Sequence, residues 1–169
     1  MPNWCYNSVT LENDDPKIID EFEAVITKED GQPFQYLRPM PDSEEENWYM
    51  WHVNNWGTKW DISVHDYERE SPTSIRLFFD SAWSPPIAMY EYLNETGWRV
   101  DAQYQEEGMG FIGSYVDGED NYYEYDISDR ASIEALPQDL IDYGDLLTRH
   151  EDWILDNEIL DNEEEPEEE

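Results

Sequence analysis

Thirty-four uncompensated negative charges on a chain of 169 residues set the terms on which it can fold: 43 Asp and Glu stand against 9 Lys and Arg. Solubility alone asks for a net charge of about 2–8 in a small domain, and a larger excess works against compaction by self-repulsion. An acidic chain short of apolar residues would stay disordered. This one is 38% hydrophobic and 15% aromatic, with 8 Trp and 12 Tyr, so it carries the material for a packed core. Its length suits one domain burying roughly 70% of the unfolded surface. The same charge repels nucleic acid and acidic lipid and attracts basic protein surfaces. The expected partner is therefore a protein with a basic groove, with no direct nucleic-acid contact and no membrane. Cys5 is the single cysteine and has no internal disulfide partner. No charged leader precedes an apolar stretch, and no apolar run approaches the ~20 residues of a bilayer span. These features point to a soluble protein of a reducing cytoplasm.

The hydrophobic pattern predicts an α+β chain. Asn7 to Glu12 alternates as a strand, and Asn13-Asp14-Asp15-Pro16 reads as a helix start. Ile18, Ile19, Phe22, Val25 and Ile26 then recur at helical spacing to about Lys28. Residues 32–61 break the pattern with Pro33, Pro39 and Pro41, an acidic run at Glu44 to Glu46, and Trp48, Trp51, Trp56 and Trp60. They read as an ordered, aromatic-rich insertion. Strands are expected over Ile62 to Glu68 and Thr73 to Ser81, joined by a loop at Arg69 to Pro72. A second helix opens after Pro85-Pro86, and a strand returns from Trp98 to Tyr104. The order βαββαβ specifies a ferredoxin-like sandwich with two helices on one face of an antiparallel sheet. Phe111 to Val116 and Tyr122 to Ile127 flank Asp117 to Asn121 as an extra C-terminal hairpin.

After Ser128 the composition shifts. A continuous helix is expected over Pro137 to Leu155, and nine of the last fourteen residues are acidic. The expected division is a core over 1–128, an acidic helical extension over 129–155, and a disordered acidic tail over 156–169. Positions 101 to 169 hold 24 acids and 2 bases, against 19 acids and 7 bases in positions 1 to 100.

Five collinear strings then resemble a known family: Met1-Pro2-Asn3-Trp4-Cys5-Tyr6-Asn7, Arg38-Pro39-Met40-Pro41, Asn54 to Asp61, Ala82-Trp83-Ser84-Pro85-Pro86, and Glu106-Glu107-Gly108-Met109-Gly110-Phe111. Over residues 1 to about 116 the chain resembles the YubB-like proteins of phages and plasmids. The resemblance implies a ferredoxin-like domain and a mobile-element origin, hence the cytoplasm of a host cell. It implies no activity.

No catalytic signature surrounds Cys5, Ser63, Ser84, His52, His65 or His150. The Gly108 to Gly113 segment opens a strand, whereas a phosphate-binding loop opens a helix. The acids from Glu106 to Asp126 do not match a calcium loop, and three scattered histidines with one cysteine make no zinc set. The chain is expected to be no enzyme and to hold neither cofactor nor metal. Two binding readings stand. In the first, fixed carboxylates imitate the charge of nucleic acid, whose duplex carries one charge per about 1.7 Å, so 34 charges match roughly 17 base pairs. The residues expected to carry this acidic face are Asp117, Glu119, Asp120, Glu124, Asp126, Asp139, Asp142, Asp145, Glu151 and Asp152. The target would be a host DNA- or RNA-binding protein, such as a CRISPR or restriction nuclease or a transcription factor, which the protein would inhibit. In the second, Trp51, Trp56 and Trp60 form an interaction or assembly surface and the charge only solubilises. An enzyme with an unrecognised site is a third, weaker reading.

Overall fold

A computed structural model describes residues 2–163, with side chains as far as Glu158. Six strands form one antiparallel sheet: β1 (Trp4–Asn13), β2 (Val64–Ser71), β3 (Ser74–Ala82), β4 (Trp98–Glu106), β5 (Phe111–Val116) and β6 (Glu119–Glu124). Their order across the sheet is β2-β3-β1-β4-β5-β6. The strand named first in the chain therefore lies inside the sheet, paired to β3 on one side and to β4 on the other. The fold class is α+β, as expected from the pattern.

Local chemistry explains the elements. Asp15 caps α1 (Pro16–Ile26) by accepting from the Lys17 amide, and Pro16 takes the first helical position, where no amide donor is needed. α1 turns Ile19 and Phe22 onto the sheet. The insertion is ordered: α2 (Pro33–Leu37), a 3-10 segment (Asp42–Asn47) and α3 (Trp48–Asn55) precede β2. α4 (Ile87–Glu95) follows the two prolines and buries Met89, Tyr90 and Leu93. Set the insertion aside and the chain from β1 to β4 runs strand, helix, strand, strand, helix, strand.

The hairpins are tighter than the sequence pattern suggests. β2 continues to Ser71, which pairs with Ser74, so the connection shrinks to Pro72-Thr73. β6 starts at Glu119 rather than at Tyr122, because Asp117-Gly118 alone makes the turn. Both residues have positive φ, 53° and 78°, the backbone that a two-residue type I′ hairpin requires and that Asp-Gly supplies. The expected strand to Ile127 ends at Glu124.

The larger correction concerns the C-terminal third. The expected single helix from Pro137 is broken into α6 (Gln138–Gly144) and α7 (Leu146–Glu163), and a further short helix, α5 (Arg130–Glu134), precedes it. Asp145, in the left-handed conformation at φ 48°, ends α6 and starts the next helix. α7 also continues through 156–163, into the segment expected to be disordered. The rest of that expected tail, residues 164–169, lies outside the described residues.

Side chains of a strand point alternately to the two faces, and both faces of this sheet are used. One holds Val9, Leu11, Ile75, Leu77, Phe79, Val100, Ala102 and Tyr115 against α1 and α4. Ile112 points the other way and is fully buried under Ile133, Leu136, Leu140, Ile141 and Leu146. α6 comes close because Gly144 has no side chain: a Cβ there would stand 3.0 Å from Ile112 Cδ1. The acidic third is thus a second layer of the core rather than an appendage. Each large apolar side chain buried there contributes about 1.5–3 kcal/mol.

Two substitutions test this packing by chemical denaturation. Ile112→Ala should cost about 2–5 kcal/mol, which a loosely attached extension would not produce. Gly113→Ala should cost about 1–3 kcal/mol, since a Cβ there would overlap the Tyr104 ring lying across it. A loss below about 0.5 kcal/mol in either variant would contradict the packing described.

Candidate functional site

All ten acids expected on the binding face are exposed; nine sit on turns, strands or helices, and Asp126 lies in the irregular segment that leaves β6. The structure does not gather them at one point. Asp117 and Asp139 lie near Asp101, whose carboxyl is pushed up by burial first and then by Asp117, Glu12 and Asp139, against the opposing effect of Arg76. Asp120 accepts from the Tyr104 hydroxyl, while Glu124 accepts from Tyr122. Asp126 and Asp152 line a separate cleft with Glu107 and Asp156. Asp142 accepts from Gln138, one turn earlier on the same helix. The acids therefore form a broad charged surface with local clusters.

The cations do little to relieve it. In the acidic third the two bases are already paired, Arg130 with Glu134 at 2.8 Å and Arg149 with Glu107. Elsewhere Arg69 bridges Asp20 and Glu23 from the sheet to α1, and Arg99 holds Glu12 and Asp14. Arg38 donates to the Asn55 carbonyl and lies over the Tyr92 ring. Most positive charge is spent on fastening elements together, and the excess carboxylates remain at the surface.

The aromatic insertion divides into core and surface. Trp56 is 2% exposed, packs edge-on against Phe34 and donates its indole N–H to the Arg38 carbonyl. His52 stacks on it with ring centres 3.9 Å apart. Trp56 thus cannot serve as the contact residue expected of it; its ring anchors the insertion to the main core. Asp61 works with it, accepting from the amides of Phe34 and Gln35 and so capping α2. Burial nonetheless pushes its carboxyl up from the ordinary value. Trp51 is half-buried and Trp60 exposed.

A different aromatic group reaches solvent. Trp60 leans on Trp4 with centroids 6.3 Å apart, and Trp83 follows Ala82, the residue paired with Trp4, its amide donating to the Asn3 carbonyl. Trp83 is 51% exposed and has φ 69°, a costly backbone for a bulky residue. Sequence reasoning missed Trp4 and Trp83 as surface rings, although both lie in strings that carried the family resemblance.

The candidate nucleophiles are occupied structurally. Cys5 is buried, and that burial pushes its thiol up to about 12; such a thiol is a poor nucleophile. Ser84 donates to the Gly57 carbonyl. His150 is buried with Nδ1 2.6 Å from the Ile127 carbonyl oxygen. His65 pairs with Asp80 at 2.8 Å beside Ser63 in a small cavity shared with Trp4 and Trp60. Among the described residues no group of three or more His, Cys, Asp or Glu is placed to hold a metal ion, and no helix is long and apolar enough to cross a membrane.

No family model and no curated protein matches the chain. Among solved structures it is similar to the crystal structure of protein Api92 from Yersinia pseudotuberculosis, of the family DUF1281. The two are 26% identical, the match covers 47% of this chain and 30% of that one, and the TM-score is 0.35.

The raised carboxyls of Asp61 and Asp101 favour the fold as pH falls, against the opposite effect of the lowered carboxyl of Asp126 at more acid pH. A carboxyl whose folded pKa exceeds its unfolded value stabilises the fold fully below the unfolded value and loses that contribution as pH rises through the folded one. Relief of surface repulsion acts in the same direction, so the melting temperature should rise as pH is lowered from about 7 to about 5. At neutral pH, added salt should raise it as well. Differential scanning calorimetry showing a flat or falling melting temperature on both axes would contradict this electrostatic account.

Proposed function

We propose that the protein acts by binding, presenting fixed carboxylates in place of nucleic-acid phosphates to the basic groove of a DNA- or RNA-binding protein and so inhibiting it. The observation that carries this reading is the placement of the acids: all ten are exposed, seven of them on helices or strands and Asp117, Asp126 and Asp145 in the short connections between these, and both bases of the acidic third are paired internally. A flexible acidic tail must be ordered on binding and loses affinity to that cost, whereas a fixed array has that entropy already removed. We assign residues 1 to about 116 to a ferredoxin-like domain of YubB-like type. The alternation of strands and helices from β1 to β4 and the order β2-β3-β1-β4 support this assignment. A phage or plasmid origin and a host target such as a defence nuclease follow from that resemblance.

A second reading draws on the exposed rings of Trp4 and Trp60, which touch, and of Trp83. Strained backbone at Trp83 holds a large ring in water, and such rings dominate protein interfaces. On this reading the charge only solubilises, and the binding is insensitive to salt.

The test is capture from host lysate on the immobilised full chain at ~50 and ~500 mM salt, with duplex DNA as competitor. Truncation at Ser128 would strip the cover from Ile112, so charge is removed instead by Asp117→Asn, Asp139→Asn, Asp142→Asn and Glu151→Gln together. A nucleic-acid-binding protein should be captured at low salt, released by high salt or by DNA, and held at least about tenfold more weakly by the fourfold variant. Capture indifferent to salt and to the variant, but lost in Trp60→Ala with Trp83→Ala, would replace the first reading by the second.

A further inference from the structure

The cleft at the far end of the acidic third sets apolar walls beside its acids. It lies between the turn joining β4 to β5, the segment leaving β6, and α7, with a volume of about 600 Å³, within the roughly 300–1,000 Å³ of ligand sites. Tyr125, Ile127 and Trp153 line it together with Met109. Trp153 is 39% and Met109 69% exposed, so apolar surface is left open to water beside charge.

Its electrostatics are one-sided. Four carboxylates, those of Glu107, Asp126, Asp152 and Asp156, meet one cation, Arg149. Arg149 is committed to Glu107. Asp126 accepts from the amide and the hydroxyl of Ser128, which hold its carboxyl below the ordinary range and keep it ionised. Among the described residues, Asp126, Asp152 and Asp156 make no ion pair.

The walls are also held in place. The buried carboxylate of Glu106 accepts from the amides of Gly108 and Met109, at 2.8 and 2.7 Å, and fixes the turn that bears Met109. His150 ties α7 to the Ile127 carbonyl. A hard metal ion, which takes oxygen ligands, would gain nothing from the thioether. A cation on a hydrocarbon stem would set its stem against Met109 and Ile127 and its charge among the acids. A flat guanidinium also stacks on an indole, which an ammonium does less well.

We propose that this cleft receives an arginine side chain of the partner protein, as the anchor point within the broader acidic surface. The inference rests on the binding of a basic groove argued above and names the residue type that enters.

The probe is N-acetyl-arginine methylamide, titrated into the full chain and followed by the indole N–H resonance of Trp153, which is identified by its loss in Trp153→Phe. That resonance should shift saturably with the arginine amide, more weakly with the lysine analogue, and not with the neutral citrulline analogue. Asp152→Asn with Asp156→Asn should weaken binding at least tenfold, with an unchanged melting curve showing that the fold is intact. No shift, an equal shift with citrulline, or undiminished affinity in the double variant would overturn the proposal. Salt-dependent capture that survives Trp153→Ala but not the fourfold charge variant would sink the cleft and leave the groove reading standing. Absence of any salt-dependent capture by the native chain would sink the groove reading, whatever the arginine amide does.

Discussion

Burial on both faces of a single sheet is what holds this chain together against its own charge. Repulsion among 34 excess negative charges acts over the whole surface, and the bases are too few to cancel it. The offset comes from apolar packing. α1 and α4 close one face over Val9, Leu77 and Val100, and α5, α6 and the start of α7 close part of the other over Ile112. The most acidic part of the chain is thereby fastened by the most ordinary of forces, the removal of Ile and Leu side chains from water. Charge and core are not segregated into separate regions: the same helices carry both, one on each side.

The few cations and buried acids act as fasteners. Arg69 and Arg99 each bind two carboxylates across elements, so a single base quiets two repelling acids and ties the chain at the same time. Asp61 and Glu106 are turned inward onto backbone amides, where charge satisfies donors that would otherwise be left without partners. Acids placed in this way are structural, and those left outside are the ones available for recognition.

Much of the fold was legible in the sequence because period and punctuation agree there. The α1 start at Asp15-Pro16, the paired prolines before α4, and the strands around Val9 and Leu77 all follow from local rules. The misreadings have local causes too. Asp117-Gly118 is a two-residue turn, but the acids and Asn121 beside it made the loop look longer than it is. Asp145 breaks the C-terminal helix through a left-handed backbone that Asp tolerates and that no spacing rule marks. The site was less legible. Exposure of Asp139 or Glu151 could be read from charge alone, whereas the burial of Trp56 depends on Phe34 and Arg38, far off in sequence. The pairing of β1 with β3 sets Trp4 opposite Ala82 and so brings the backbone of Trp83 to that of Asn3.

Among the described residues β2 and β6 are the outermost strands of the sheet, and each carries acids. β2 bears Asp66, Glu68 and Glu70, with register shifts at both ends; β6 bears Glu119, Asp120 and Glu124. Open strand edges invite other strands to pair with them, which is how β-proteins clump. Here two copies meeting edge to edge bring like charges together at close range. The molecule carries a built-in refusal of its own kind, and a strand able to join either edge has to arrive with positive charge of its own.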